Sequence, residues 1–183
     1  MTKPSDDITV AEVNAAQQRW CDGLMTICSR YINGDNTYVD YADKFIDEMY
    51  DFNGGRVFFR PTLALAPQHF RTTRPGCRAY FLGGDGVEFP DDGFIKYKWI
   101  SVRYTNKVEG DQAIQIHGNI GIAMGNVYLV KQNGEEVVVD KLFVFQKRGG
   151  KVRLIVHNSA ATNLPKLEKP EKQQGQDSNS NDQ

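Results

Sequence analysis

The sequence predicts an α+β fold: N-terminal helices packed in a strongly curved antiparallel sheet, forming a cone with an internal pocket. Three observations carry this expectation. Two stretches of helical periodicity open the chain, long strand-like runs fill its second half, and Asn133-Gly134 and Gly149-Gly150 join the last runs as hairpin turns.

The first helix opens at Thr9-Val10-Ala11-Glu12, a capping box in which each side chain serves the other residue's backbone N–H. Apolar residues then recur at Val10, Val13, Ala16, Trp20, Leu24, Ile27 and Tyr31, until Asn33-Gly34-Asp35 stops the helix. A second helix carries Tyr38, Tyr41, Phe45, Met49 and Phe52 on one stripe and ends at Asn53-Gly54-Gly55. Arg56 to Ala64 reads as a strand interrupted by Pro61, which marks a sheet edge or bulge because proline has no N–H for the ladder. Residues 68–74 are irregular, and Pro75 begins a short helix through Cys77, Tyr80 and Phe81 to Gly83-Gly84.

After an acidic turn over 85–92, strands are expected at 94–106, 113–131, 136–147 and 151–160, the last three forming a meander. From about Asn163, prolines, charges and amides replace apolar residues. The domain is therefore expected over 9–163, with 1–8 a flexible N-terminus and 164–183 a disordered polar tail.

At 40% hydrophobic residues, the 183-residue chain can build a core without a staple. A net charge of −1 and a pI near 6.3 argue against a general nucleic-acid binder. No apolar run approaches membrane-spanning length, and MTKPSDD lacks a signal-peptide pattern. The cytoplasm is the default compartment unless a signal peptide has been removed. Cys21, Cys28 and Cys77 are odd in number and form no CxxC, so they read as reduced core residues.

The common catalytic signatures GxGxxG, GxSxG, HExxH and the P-loop are absent. His69, His117 and His157 lie far apart, with no Cys or Asp at ligand spacing, so no structural zinc site is expected. Strict alternation in the last strand puts Arg153, Ile155, His157 and Ser159 on one face and Val152, Leu154, Val156 and Asn158 on the other. His157 and Ser159 then bring polar atoms to the rim of an apolar surface, or simply end a strand. Thr62 sits beside Pro61 on a constrained backbone, suited to presenting a hydroxyl, although threonine also favours strands. Arg60, set among phenylalanines, needs a partner if buried; an ion pair with Asp140 or Glu48 is the plain reading. Tyr80 can bury its ring and show its hydroxyl, and Tyr97, Trp99 and Ser101 share one face of their strand as wall and core.

The order of two helices, RVFFRPTLA, a short helix with AYFLGGD, then IAMGNVYL, VDKLFVF and VRLIVHNSA resembles the iota-class carbonic anhydrases. Their domain is related to the association domain of calcium/calmodulin-dependent protein kinase, within the nuclear-transport-factor-like superfamily of curved-sheet cones. The similarity covers about Val10 to Asn163.

The resemblance implies that Thr62, Tyr80 and Ser159 line the pocket and hold bicarbonate, and that His157 matches the first histidine of the family's last-strand motif. Asn158 and Ala160 stand where that motif has a second histidine and a second serine, and Arg60 stands where a lysine is common. By alternation, Asn158 and Ala160 face away from the pocket side.

The implied reaction is reversible hydration of carbon dioxide to bicarbonate, metal-free and without a cofactor. Thr62 and Ser159 would hold water and product oxygens, Tyr80 would donate to an oxygen gaining charge, and His157 would relay the proton. Nothing in the sequence accounts for lowering the water's pKa. A non-catalytic assembly module and a larger-ligand or isomerase pocket are the alternatives. The second would want a buried carboxylate that no pocket face offers. The apolar terminal strands imply a homodimer through the outer sheet face.

Overall fold

The structure, a computed structural model, describes residues 6–108 and 111–162. The tail expected at 164–183 and most of the N-terminal segment lie outside the described residues. Ile8 is buried, and its N–H donates to Gly118 O at 2.9 Å.

Helix α1 (Val10–Ile32) starts with the expected capping box: Glu12 N donates to Thr9 Oγ1 at 3.2 Å, and Thr9 N donates to Glu12 Oε2 at 2.9 Å. Its buried stripe includes Val13, Ala16, Trp20, Leu24 and Ile27. Helix α2 (Tyr38–Met49) ends earlier than its apolar stripe suggests. Tyr50 adopts an extended backbone and bridges Leu154, and Phe52–Gly54 forms a separate 3₁₀ turn. This early exit carries the Tyr50 ring into the core.

Strand β1 (Phe58–Arg60) is followed by helix α3 (Arg74–Leu82), a 3₁₀ turn at Phe94–Tyr97 and strand β2 (Trp99–Thr105). Two short strands, β3 (Lys107–Val108) and β4 (Asp111–Gln112), pair with one another. Strands β5 (Ile114–His117), β6 (Ile120–Lys131), β7 (Glu136–Arg148) and β8 (Lys151–Ala161) complete the chain. The six-stranded sheet runs β1-β8-β7-β6-β2, with β5 also on β6. Strand β6 divides one edge between two partners, β5 at Ile120–Ala123 and β2 at Asn126–Lys131. At the junction, a Cβ on Gly125 would lie 1.9 Å from Thr105 O, so only glycine permits the approach.

Four expectations are corrected. The sheet is not wholly antiparallel, because β1 pairs parallel with β8. The 56–64 strand shrinks to three ladder residues at the sheet edge, since Pro61 supplies no N–H to extend it. The 94–106 run opens as a 3₁₀ turn, so Tyr97 and Trp99 do not follow simple alternation into Ser101; the β2–β6 register also shifts between Trp99 and Ser101. The 113–131 run is a hairpin: His117 faces Ile120 across Gly118-Asn119, with Gly118 at φ +57°.

A fifth correction places the site. Val144 faces Val156, but Phe145 faces Leu154, which leaves Ile155 as a β-bulge. One extra residue inverts the alternation. Val152 and Leu154 before the bulge, and His157 and Ser159 after it, all point inward, whereas Arg153 and Ile155 do not share the inner face with His157. The inner rows then align across the sheet as Ala123–Phe143–His157–Phe59 and Gly125–Lys141–Ser159.

The loop after β1 is pinned by a buried ion pair. Arg71 Nε and Nη2 donate to Asp91 Oδ2 and Oδ1 at 2.6 and 2.9 Å, a bidentate fork. Arg71 Nη2 also donates to Leu65 O, and Leu65 N donates to Asp91 Oδ1. Residues 61–65 are thereby fastened to the 85–93 segment. Among the described residues, no helix is long and apolar enough to cross a membrane.

Candidate functional site

A pocket of about 110 Å³ opens between the post-β1 loop, α3 and the inner sheet face. Thr62 and Tyr80 line it, with Phe94, Trp99, Leu129, Val139 and Lys141 among the walls. Drug-sized ligands need several hundred Å³, so this space suits molecules of a few heavy atoms.

Thr62 reaches the pocket because the chain leaves the ladder after Arg60 and turns at Thr62-Leu63. Its Oγ1 is buried with no hydrogen-bond partner. A buried hydroxyl without a partner costs free energy, and such groups concentrate where something else binds. Tyr80 comes from α3 with its ring against Phe59, Phe81 and Phe94. Burial pushes its phenol well above the ordinary value, with Asp91 adding to the rise, while a hydrogen bond from the Leu63 backbone opposes it. It is therefore a neutral O–H at physiological pH.

Ser159 and His157 stand behind the wall. Ser159 is 0% exposed and His157 1%, and what separates them from the pocket is Lys141, itself only 7% exposed. Lys141 Nζ donates to Ser159 Oγ at 2.6 Å and lies 2.9 Å from His157 Nε2. His157 Nδ1 lies 3.0 Å from Tyr50 Oη, which accepts from Trp20 Nε1 at 3.0 Å. A single chain of polar contacts thus runs Ser159–Lys141–His157–Tyr50–Trp20 through an aromatic core. The imidazole stacks on Phe59 at 4.4 Å between ring centroids and meets Phe143 edge-on at 4.6 Å.

Burial sets the protonation states. Desolvation holds Lys141 down to about 7, with the Cys21 thiol opposing it weakly. Desolvation, and secondarily the Lys141 charge, pushes His157 well below its ordinary value. His157 is consequently a neutral ring in a sealed core, which works against the proton-relay role expected for it and fits it to hold Lys141 in place.

The sequence reading missed Lys141, Tyr50 and Trp20 as a unit. A signal for Lys141 existed: alternation in β7 puts it in register with Val139, Phe143 and Phe145, one cation in an apolar inner row. Tyr50 left no such trace, because it lies beyond its helix. Arg60 is exposed, and its guanidinium donates to Ser159 O, not to Asp140 or Glu48. Asp140 faces outward and accepts from Asn126 Nδ2 at 2.7 Å. Asn158 and Ala160 are exposed on the opposite face from Ser159. The three cysteines are buried free thiols, and no group of three His, Cys, Asp or Glu side chains comes together among the described residues.

Residues 11–161 match the family described as metal-independent carbonic anhydrase. The chain belongs to that family. A metal-independent carbonic anhydrase from Nostoc sp. (strain PCC 7120 / SAG 25.82 / UTEX 2576) is 42% identical over 156 residues, covering 84% of this chain and 73% of that protein. The crystal structure of an iota-carbonic anhydrase from a cyanobacterium, complexed with bicarbonate, matches with a TM-score of 0.80 and 38% identity. That match covers 90% of this chain and 100% of the other.

A putative calcium/calmodulin-dependent protein kinase II association domain from Xanthomonas campestris matches at TM-score 0.52 and 20% identity, over 91% of this chain and 95% of that one. This last likeness speaks to the fold alone. The carbonic anhydrase family and the kinase-related fold are those the sequence resembles.

Proposed function

We propose that this metal-independent carbonic anhydrase hydrates carbon dioxide reversibly to bicarbonate in the pocket lined by Thr62, Tyr80 and Lys141. The observation that carries the site is the orphaned Thr62 hydroxyl, buried in a small and largely apolar space. Carbon dioxide is apolar, and Trp99, Leu129 and Val139 receive it without desolvating a polar group. Thr62 Oγ1 has both its proton and its lone pairs free, so it can hold the attacking water or an oxygen of the product. Tyr80, kept neutral by burial, donates its hydroxyl proton to the oxygen that gains charge. Ser159 acts one step back, through Lys141, and His157 behind it fixes the same amine.

Bicarbonate is the probe that tests the placement. A structure determined with bicarbonate is expected to show the anion within hydrogen-bond distance of Thr62 Oγ1 and Tyr80 Oη. An anion elsewhere, with this pocket holding only water, contradicts the assignment.

The outer sheet face supports self-association. Ile122, Val144, Val156 and Phe58 align across four strands, with Met124 and Leu142 in the next row, and Phe58 and Met124 are 67% and 52% exposed. A homodimer through this face buries them. Sedimentation velocity of wild type and Phe58→Glu checks it: a dimer that the substitution dissociates is expected, and a monomeric wild type refutes it.

A further inference from the structure

Hydration needs a group that takes the water's proton, and the three hydroxyls cannot. Thr62 and Ser159 are alcohols, and Tyr80 is held in its O–H form. His157 is sealed behind Phe59, Phe143 and Trp20. Lys141 remains.

Resting on the hydratase reading, we infer that Lys141 is the base of the reaction: its Nζ, anchored by Ser159 Oγ and His157 Nε2, receives the proton of the water that attacks carbon dioxide. The geometry supports this in two ways. Of the three non-carbon positions on the nitrogen, Ser159 and His157 occupy two, leaving the third for the pocket that Lys141 lines. Among the described residues no carboxylate pairs with this buried lysine, although buried lysines are rarely without one. An ion pair would lock it in the charged form.

The groups around it are the Trp20 ring, 5.5 Å from Nζ, and the Cys21 thiol from α1, His157 and Ser159 from β8, and Tyr80 from α3. Tyr97 and Lys131 also line the pocket, and Lys131 pairs with Glu135 at 2.9 Å. Burial pushes the Cys21 thiol up to about 12, so no anion faces Lys141 near neutrality.

One tautomer of His157 serves both states of the amine. With its proton on Nδ1, donated to Tyr50 Oη, the ring leaves Nε2 as an acceptor. Neutral Lys141 then donates to Ser159 and His157 and keeps its lone pair for the pocket, whereas protonated Lys141 keeps both bonds and turns a third N–H outward. No partner has to move. A lysine held down to about 7 is suited to accept and release a proton near neutral pH.

The step balances. The water oxygen forms a bond to carbon, one C=O π bond opens onto its oxygen, and the water proton goes to Nζ. Water, carbon dioxide and Lys141–NH₂ become bicarbonate and Lys141–NH₃⁺. The ammonium holds the product anion, and the cycle closes when bicarbonate leaves and the proton passes to solvent. Dehydration runs the same steps backwards.

The test combines stopped-flow hydration across the neutral range with two variants and a direct titration. Wild-type turnover is expected to rise with pH through an inflection near neutrality. Lys141→Met should lower it on the order of 10²-fold or more while folding by circular dichroism. Lys141→Ala should be rescued by small primary amines, with rates that follow amine basicity, which a merely structural lysine would not produce. In wild type labelled at lysine Cε with carbon-13, one lysine should titrate near neutrality, a readout that survives if the variants misfold.

Activity within about threefold of wild type in Lys141→Met overturns the inference, on the scale of a general-base contribution. So does a set of lysine signals that all stay protonated through the neutral range. Wild type that hydrates carbon dioxide without Lys141 dependence sinks this role alone; wild type that hydrates none sinks the hydratase reading itself.

Discussion

Lys141 and Ser159 sit directly opposite one another on β7 and β8, and the lysine Nζ donates to the serine Oγ at 2.6 Å in a buried inner row. Ser159 thereby helps to orient the amine, which also lies 2.9 Å from His157 Nε2. Ser159→Ala is expected to remove that acceptor, lower hydration at least about tenfold and cost about 1–3 kcal/mol of stability. Stopped-flow assay and urea denaturation of the variant check both, and unaltered hydration would mean the serine serves folding only.

Thr62 makes the opposite prediction for stability. Its hydroxyl has no partner, so Thr62→Val removes an unmet polar group and should leave the melting temperature equal to or above wild type. Hydration should nevertheless fall on the order of 10²-fold, as for loss of a donor to developing charge. A destabilised variant with full activity would reverse the assignment.

Tyr50 anchors the far end of the polar chain. Tyr50→Phe strands the Trp20 indole N–H and His157 Nδ1 in the core, and each lost partner costs about 1–3 kcal/mol. Thermal denaturation should show the loss, and hydration should fall because His157 no longer holds Lys141 in one orientation.

Stability should rise with pH through two depressed bases. His157 stays neutral in the folded protein but protonates in the unfolded chain, so stability falls as the pH drops below about 6.5. Lys141 releases its proton at about 7 when folded and near 10.4 when unfolded. From about 7 to about 8.5 the unfolded chain holds a proton that folded Lys141 has lost, which raises stability by up to about 1.4 kcal/mol per pH unit; above that, the buried thiols Cys21, Cys28 and Cys77 ionise only in the unfolded chain and oppose the rise. Denaturant titrations in this window should lose that slope in Lys141→Met; a parallel pair of curves would show that Lys141 titrates normally.

Asn158 and Ala160 are exposed on the outer face, away from the Lys141 amine. Restoring the family's histidine and serine with Asn158→His and Ala160→Ser should leave hydration within about twofold, the size expected of surface changes away from a site. A large gain would mean the outer face contributes to catalysis.

Much of this was legible before the structure. The capping box, both glycine hairpins and the apolar stripe of α1 depend on residues within a turn or two of each other, so local pattern reveals them. The bulge at Ile155 depends on how β7 and β8 pair, and it inverted the partners of His157 without moving His157 or Ser159 off a common face. Thr62 and Tyr80, expected from the family's motifs, line one pocket. The Arg71–Asp91 clamp and the Tyr50 contact were not, because each joins segments far apart in the chain through a buried polar group. Lys141 was the nearest miss: alternation placed it inward, and only its apolar companions marked it as unusual.

Stopped-flow hydration of carbon dioxide by exhaustively chelated protein, with Thr62→Val assayed beside wild type, asks at once whether hydration needs a metal and whether it needs the Thr62 hydroxyl. The proposed site requires full wild-type activity after chelation and a loss on the order of 10²-fold in the variant. Activity that vanishes on chelation and returns with one metal, or a variant as active as wild type, would contradict it.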